Sequence, residues 1–274
     1  MQTVFTLASG RSGTHFLYEV IHRNAIDCVA RHEPYVTNPS MFGKPIYDHA
    51  CGKIDSIREL LEKKRRVIER FAPRTYVETS HAFLKSYFDL APEYFPEMKL
   101  VHLVRNPLKT AKSLANREDL IHRLRLPFCH YRGDDGCWYF RWALTGLEPI
   151  YQNFDKHNVT SFQRLLLEWI EIENRSIQFL DRFDKHADCV TLHAPAEIND
   201  PERLREMFER LGLKMRNDTI DLAGRTNKTP GLPTVITDDE ERQFAEVVKQ
   251  LPQQYKSIFA APPYSQWEWS KRFQ

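Results

Sequence analysis

The sequence predicts an α/β fold of three layers, in which helices cover both faces of a central parallel β-sheet. Two observations predict it. Short apolar runs alternate with longer amphipathic segments, and a glycine turn directly follows the first apolar run. The 274 residues are 42% hydrophobic and 28% charged, as in an ordinary globular protein. We expect a single domain over residues 1–274, because no repeat or low-complexity linker interrupts the pattern.

Each element is predicted from its pattern in chain order. Apolar runs predict five strands, namely Val4–Leu7, Cys28–Ala30, Thr75–Glu78, Lys99–Val104 and the stretch CVTLHA at 189–194. Amphipathic spacing predicts helices at Thr14–Arg23, Ile54–Phe71, Pro107 to about Arg117, Ser161–Phe183, within 199–213, and Asp238–Leu251. Asn106 is expected to cap the helix that begins at Pro107. We expect residues 118–160 to be irregular.

Composition excludes several classes of function. The net charge of +2 provides no general attraction for nucleic acid. No apolar run is long enough to span a bilayer, and the N-terminal pattern does not predict a signal peptide. Five scattered cysteines indicate reduced thiols, so we expect a cytoplasmic protein, with a homodimer possible. No metal site is expected, because Cys129, His130 and Cys137 lack the spacing of zinc ligands.

The stretch ASGRSGTHFL, residues 8–17, is the first candidate site. A strand, a tight glycine turn and a helix together present backbone N–H groups and a positive helix end to an anion. Gly10 and Gly13 let the backbone curl, Ser12 and Thr14 supply hydroxyls, and Arg11 supplies a positive charge. Such a turn can also be a simple connector, so the loop alone leaves both interpretations open.

This loop differs from the loop that binds nucleoside triphosphates. That loop places a lysine directly before its Ser or Thr, whereas Thr14 here follows Gly13 and the cation is Arg11. A magnesium-dependent enzyme also needs an aspartate at the end of a core strand. The strand ending at Val104 and the strand ending near His193 supply none. A small-molecule kinase is therefore the less favoured alternative.

A second anion site is predicted in VHLVRNPLKTAKSLA, residues 101–115. Arg105 lies at the carboxyl end of a strand, where open α/β sheets bind ligands. Helical spacing places Asn106, Lys109 or Thr110, and Ser113 on one face of the next helix. An arginine capping a strand is the structural alternative. Two anion sites on one sheet indicate a ligand with phosphate groups at both ends.

Together these stretches resemble the sulfotransferase family. SGRSGTHFL is similar to its 5′-phosphosulfate loop, and LVRNPLKTAKS is similar to its 3′-phosphate motif. The stretches YFPEMKL, VTLHAPAEINDPERLREMFERLGL and GRTNKTPG also resemble the family, so the similarity covers most of residues 1–230. It implies a P-loop-like fold and transfer of a sulfuryl group from 3′-phosphoadenosine-5′-phosphosulfate (PAPS) to a hydroxyl or amine. Adenosine 3′,5′-bisphosphate (PAP) would be released, and no metal would be required.

The resemblance also implies roles for individual residues. The 5′-phosphosulfate would be held by Gly10, Arg11, Ser12, Gly13 and Thr14, with His15 beside them at the helix start. The 3′-phosphate would be held by Arg105 and Ser113, with Arg225 and Lys228 of the late basic loop as further candidates. Arg11 would also neutralise charge on the bridging oxygen, and as an arginine it keeps its proton.

Two residues are candidates for the general base. Glu33, in ARHEPY, lies at a spacing from the loop similar to that of the catalytic glutamate of carbohydrate and tyrosyl-protein sulfotransferases. His81, in VETSHAFLKSYF, resembles the THLP histidine of cytosolic phenol and steroid sulfotransferases. That match departs from the motif, because Thr79 replaces a lysine and the proline is missing. We favour Glu33, with His81 as a second base or an acceptor contact and His32 as a neighbour.

Residues 118–160 are the predicted acceptor-binding or capping insertion. Aromatic and basic residues are concentrated here and just before it: Arg117, Arg123, Arg125, His130, Tyr131, Arg132, Trp138, Tyr139 and Trp142. They would suit a small molecule, a glycan or an anionic acceptor, although the aromatic residues could simply pack the segment onto the core. A non-catalytic nucleotide-binding protein of the same fold is the second alternative.

Overall fold

The structure, a computed structural model, describes residues 1–34, 40–72, 74–124, 126–155, 157–222 and 235–274. Its strands are β1 (Thr3–Ala8), β2 (Ala25–Ile26), β3 (Cys28–Arg31), β4 (Thr75–Glu78), β5 (Lys99–Arg105), β6 (His130–Arg132), β7 (Trp138–Phe140), β8 (Cys189–Ala194) and β9 (Lys214–Met215). Five of them form a parallel sheet in the order β3-β4-β1-β5-β8, and β2-β9 and β6-β7 form two small antiparallel pairs.

The helices connect these strands. They are α1 (Thr14–Asn24), α2 (Lys44–Ala50), α3 (Ile54–Glu69), α4 (Phe83–Ser86), α5 (Ala91–Tyr94), α6 (Pro107–Arg123), α7 (Ser161–Arg182), α8 (Pro201–Leu211), α9 (Asp238–Gln250) and α10 (Gln253–Lys256). Turns of 3-10 helix occur at Pro127–Cys129, Pro149–Asn153, Glu197–Asn199, Ser257–Ala260, Tyr264–Gln266 and Glu268–Phe273. None of the helices within the described ranges is both long and apolar enough to cross a membrane.

Both faces of the sheet are covered, which confirms the predicted three-layer α/β fold. Successive residues of β1 point to opposite faces, so Val4 packs with α1 and α8, whereas Phe5 packs with the cluster that includes α3, α4 and α5. A third cluster joins α6, α7 and α9. Since all strands of the sheet are parallel, the segments that follow them meet at one edge.

Several predicted elements match the structure closely. The five predicted strands of the central sheet are all present, and β4 and β8 have the predicted bounds. Asn106 caps α6 as predicted, because its side chain accepts a hydrogen bond from the Lys109 N–H. Thr160 and Gln163 form a capping box at the start of α7.

Other predictions were wrong in detail. Helix α6 continues past Arg117 to Arg123, because nothing in residues 118–123 stops a helix. Residues 118–160 are therefore not wholly irregular, since they also contain the β6-β7 hairpin. The C-terminal residues after α9 form short helical turns that place Phe259, Trp269 and Phe273 against Trp169.

Candidate active site

The loop between β1 and α1 has the conformation that an anion-binding turn needs. Gly13 precedes α1 with φ 112°, and a β-carbon there would lie 2.9 Å from Ile198 Cδ1. A β-carbon at Gly10 would lie 3.1 Å from Leu114 Cδ2. Ser12 Oγ donates a hydrogen bond to the Ser9 carbonyl at 2.6 Å, which closes the turn. The glycines therefore let α6 and the 195–199 turn pack tightly against the loop.

Hydrogen bonds join the loop to the second predicted anion site. Arg11 Nε donates to Ser113 Oγ of α6 at 3.0 Å, and Arg105 Nη1 donates to the Arg11 carbonyl at 2.7 Å. Arg11 itself has φ 66°, a conformation that is uncommon for a residue with a β-carbon. The structure therefore brings the two sequence motifs into one site at the carboxyl edge of the sheet.

Glu33 and His81 form a close pair beside this loop. Glu33 Oε1 lies 3.2 Å from His81 Nε2, and the two side chains are 24% and 3% exposed. His32 Nε2 lies 3.8 Å from the same carboxylate oxygen, while its Nδ1 is 2.7 Å from the Thr79 carbonyl. The His81 ring also packs on Phe42, with ring centroids 4.6 Å apart. Of the pair, Glu33 is therefore the member that solvent can reach, with His81 buried behind it.

The register of the sheet explains this pairing. Arg31 of β3 lies opposite Glu78 of β4, so Glu33 and His81 follow the ends of neighbouring parallel strands. Glu33 has φ 43°, which turns the chain as it leaves β3. The two residues are far apart in sequence, and only the pairing of β3 with β4 brings them together.

The pKa values of Glu33 and His81 are both lowered, but by different causes. Burial alone would raise the pKa of Glu33, but His81, His32 and Arg117 outweigh it and lower this pKa to about 2. Burial, with the positive charge of Lys85, lowers the pKa of His81, although the Glu33 carboxylate opposes that effect. At neutral pH the pair is therefore an ionised carboxylate beside a neutral imidazole, and it can take up one proton.

Positive charge is concentrated around Arg11. Burial lowers the pKa of Arg11, and the charges of Arg117 and Arg105 add to this effect, whereas Glu33 opposes it. Burial likewise lowers the pKa of Arg105. Arginines remain protonated despite such shifts, so the site holds several permanent cations that a bound oxyanion would stabilise.

The remaining predicted site residues have different positions. Thr14 is buried at the start of α1. The half-buried His15 ring meets the His32 ring edge-to-face, with the two ring centroids 5.0 Å apart. Lys109 is exposed, and the Thr110 hydroxyl donates to the Asn106 carbonyl within α6. Arg225 and Lys228 lie outside the residues that the structure describes, as does Arg125 of the predicted acceptor region.

One acidic residue at a strand end was missed by the sequence analysis. Glu78 ends β4, next to β1, where a magnesium-binding carboxylate would be expected in a kinase. Its side chain is 2% exposed, and it accepts hydrogen bonds from Lys64 at 2.5 Å and Tyr76 at 2.8 Å. Glu78 is thus committed to a buried ion pair. In the part of the chain that the structure describes, no group of three or more His, Cys, Asp or Glu could hold a metal ion.

The predicted acceptor region forms an aromatic row beside the site. Arg117 Cζ lies 4.7 Å from the centroid of the Trp142 ring. The Phe140 and Trp142 rings meet edge-to-face with their centroids 5.5 Å apart, and the His130 and Phe140 centroids are 5.6 Å apart. Phe140 of the hairpin thus connects the Trp142 ring under Arg117 to His130.

Comparison with known proteins bears on the fold. Among solved structures, the chain is similar to a sulfotransferase from Alicyclobacillus acidocaldarius, with a TM-score of 0.50 and 13% sequence identity over 97% of this chain and 98% of that one. The chain has a sulfotransferase-like fold. A sulfotransferase domain from the curacin biosynthetic pathway has a TM-score of 0.49 and 12% identity over 98% of this chain and 95% of that domain. No family model matches the sequence, and neither does any curated protein.

In this sulfotransferase-like fold, the segments that follow the parallel strands carry the candidate site. Arg11 follows β1, Glu33 follows β3, His81 follows β4, and Arg105 ends β5. Open α/β sheets bind ligands at this edge, where helix N-termini and strand ends converge. The geometry therefore places a glycine turn at a helix N-terminus, two guanidinium groups and a Glu–His pair at one edge of the sheet.

Proposed function

We propose that this protein is a sulfotransferase that moves the sulfuryl group of PAPS to a hydroxyl or amine of a small-molecule or carbohydrate acceptor. The observation that carries the proposal is a network of two hydrogen bonds. Arg11 Nε donates to Ser113 Oγ, and Arg105 Nη1 donates to the Arg11 carbonyl. This network joins the loop after β1 to the end of β5. A nucleotide with anionic groups at both its 5′ and 3′ ends fits such a two-part site.

The residues present suit the chemistry of that donor. Gly10 and Gly13 let the turn pack tightly against its neighbours in the protein. The backbone N–H groups at the start of α1 would meet the 5′-phosphosulfate, with Ser12, Thr14 and His15 in the same turn. Arg105 and Ser113 would hold the 3′-phosphate, as would Arg225 and Lys228. PAPS would supply the sulfuryl group and leave negative charge on its 5′-phosphate, and Arg11 would stabilise that charge.

We assign proton transfer to Glu33 and His81 as a pair. The partly exposed Glu33 carboxylate would meet the acceptor, but a carboxylate with a pKa of about 2 holds a proton weakly. The neutral His81 ring, 3.2 Å behind it, would receive the proton that Glu33 accepts. The acceptor proton would thus end on the imidazole while Glu33 returns to its ionised form.

Radiolabelled PAPS tests the proposal directly. The protein is incubated with labelled donor and pools of sugars, phenols and amines, and labelled sulfate esters or sulfamates are separated from the donor. Glu33→Gln should lower the turnover about 100-fold or more, because the proton acceptor is lost. It should leave PAP affinity nearly unchanged. The matched control is Glu59→Gln, on the exposed surface of α3.

Each outcome has a distinct meaning. Label transfer that depends on Glu33 supports the assignment. Full activity of Glu33→Gln would move the role of the base to His81 alone. Tight PAP binding without transfer to any acceptor would instead favour a non-catalytic nucleotide-binding protein.

A further inference from the structure

Arg117 lies next to the proposed donor site without being part of it. Ser113, Leu114 and Arg117 share one face of α6, since residues three and four apart are neighbours on a helix. Ser113 bonds Arg11, and Leu114 lies against Gly10. Arg117 is thus one helical turn farther along the same face, toward the β6-β7 hairpin. Its charge acts on both Arg11 and Glu33.

A cation–π contact positions the guanidinium of Arg117. Its Cζ lies 4.7 Å from the centroid of the Trp142 ring, and such a contact uses the charge of the guanidinium without using its N–H donors. Among the residues that the structure describes, no side chain or carbonyl accepts a hydrogen bond from Arg117. The half-buried guanidinium, with its planar set of N–H donors, is suited to an oxyanion such as a carboxylate or a sulfate.

The segment that carries Trp142 is anchored independently of Arg117. Lys85 Nζ donates to the Trp142 carbonyl at 2.6 Å and to Glu168 Oε1 at 2.5 Å, and Glu168 Oε2 accepts from the Leu144 N–H at 3.0 Å. Both Lys85 and Glu168 are fully buried. The platform under Arg117 is therefore part of the core, so the guanidinium is held in position before a ligand binds.

We propose that Arg117 binds an acidic group of the acceptor, which is therefore a small anionic molecule that carries both the reacting hydroxyl and a carboxylate or sulfate. This inference rests on the proposed function. The acidic group would bind the N–H groups of Arg117, and the hydroxyl would reach Glu33, whose carboxylate interacts electrostatically with the same guanidinium. Trp142 and Phe140 would pack along the body of the molecule.

Matched pairs of acceptors test this assignment. The probes are 4-hydroxyphenylacetate with its uncharged amide, and glucuronate with glucose. Sulfuryl transfer from PAPS and binding to the PAP-loaded protein are both measured. The wild type should prefer the acidic member of at least one pair, and Arg117→Gln should lower kcat/KM for that member about 10- to 100-fold. For the neutral member the loss should be several-fold smaller, since only the effect of Arg117 on the pKa of Glu33 is then lost. PAP affinity should change less than about twofold.

Two further variants show whether the preference for acidic acceptors depends on the guanidinium of Arg117 or on positive charge in general. Arg117→Lys keeps the charge but loses the planar fork, so it should restore only part of the preference. Arg66→Gln, on the exposed surface of α3, is the control for loss of a positive charge. Thermal unfolding of each variant shows whether a loss of activity follows from loss of the fold.

The outcomes separate this proposal from the proposed function. Equal use or equal binding of the acidic and neutral members of both pairs would overturn the role of Arg117. So would an equal loss for both members in Arg117→Gln. Weakened PAPS binding with unchanged PAP binding in Arg117→Gln would assign the guanidinium to the donor's sulfuryl oxygens instead. Absence of PAP binding by the wild type would overturn the proposed function itself.

Discussion

Arg11 and Glu33 both have a left-handed backbone conformation, with φ of 66° and 43°. For residues with a β-carbon this conformation costs about 1–3 kcal/mol, and it persists where the surroundings impose it. Arg11 is fixed by Ser113 and Arg105, and Glu33 by the turn at the end of β3. Two strained residues in one crevice agree with a site selected for function at some cost to stability.

The Glu33–His81 pair predicts how turnover depends on pH. The pair accepts a proton only while His81 is neutral, so turnover should fall as the pH drops through the pKa of His81. Burial and Lys85 lower that pKa in the free protein, which places the acid limb of kcat/KM below about pH 6.5, the ordinary value for histidine. Steady-state kinetics measured from about pH 4.5 to about pH 8, in steps of about half a pH unit, locate this acid limb.

Glu33→Gln supplies the second part of this test. Glu33 raises the pKa of His81, so its neutral replacement should shift the residual acid limb to still lower pH. An acid limb well above pH 6.5, or a limb that Glu33→Gln does not move, would contradict the coupling of these two groups.

At the scale of elements, much of the site could be predicted from the sequence. The loop after β1 and the motif at the end of β5 carry glycine, arginine and proline at spacings that specify a strand, a turn and a helix. The proximity of Glu33 and His81 could not be derived in this way. It depends on the parallel pairing of β3 with β4, and local sequence patterns do not encode which strands become neighbours.

The elements that were missed have a common physical cause. Strands β2, β6, β7 and β9 contain only two or three residues, so they are too short for an alternating pattern and depend on tertiary contacts. The turns after α9 are likewise specified by packing. Phe259 stacks on Trp169 with centroids 5.5 Å apart, and Trp269 meets the same indole edge-to-face.

Gly13→Ala tests the loop between β1 and α1. A β-carbon at this position would combine an unfavourable φ with a contact of 2.9 Å to Ile198 Cδ1. We expect PAP affinity to fall at least about tenfold and the free energy of unfolding to fall by roughly 1–3 kcal/mol. Calorimetric titration and urea denaturation measure the two effects.

Gly52→Ala is the matched control. Gly52 also has a positive φ, of 71°, but among the residues that the structure describes, none beyond its chain neighbours lies within 4 Å of its β-carbon position. It should lose about 1 kcal/mol of stability from backbone strain and keep its nucleotide affinity. Similar PAP affinities of the two variants would show that the turn at Gly13 does not shape the nucleotide site.

For the whole molecule, a buried ion pair connects α4 and α7 to the segment 142–144, which follows the β6-β7 hairpin. Lys85 of α4 joins Glu168 of α7, and both also bind backbone atoms of residues 142–144. Lys85→Met would leave the Glu168 charge buried without this partner, so the free energy of unfolding should fall by about 3–5 kcal/mol. Chemical denaturation followed by fluorescence measures the loss.

The double variant Lys85→Met/Glu168→Gln tests the cause of that loss. It removes both charges, so it should be more stable than the single variant by about 1–3 kcal/mol. A loss below about 1 kcal/mol in Lys85→Met, or a double variant less stable than the single one, would show that the pair does not anchor the segment 142–144.

The hydrogen bonds that join Arg11, Ser113 and Arg105 predict a site for a nucleotide with a 3′-phosphate. Calorimetric titration of the wild type with PAP, adenosine 5′-monophosphate and magnesium-ATP measures whether such a nucleotide is preferred. Arg105→Ala and the exposed control Lys249→Ala are titrated alongside.

We expect PAP to bind at least about 100-fold more tightly than adenosine 5′-monophosphate, since charge-assisted hydrogen bonds to the 3′-phosphate are lost in the monophosphate. Arg105→Ala should remove most of that difference, and Lys249→Ala should preserve it. Equal affinities for PAP and the monophosphate, or a preference for magnesium-ATP, would contradict the assignment of this site to a sulfuryl donor.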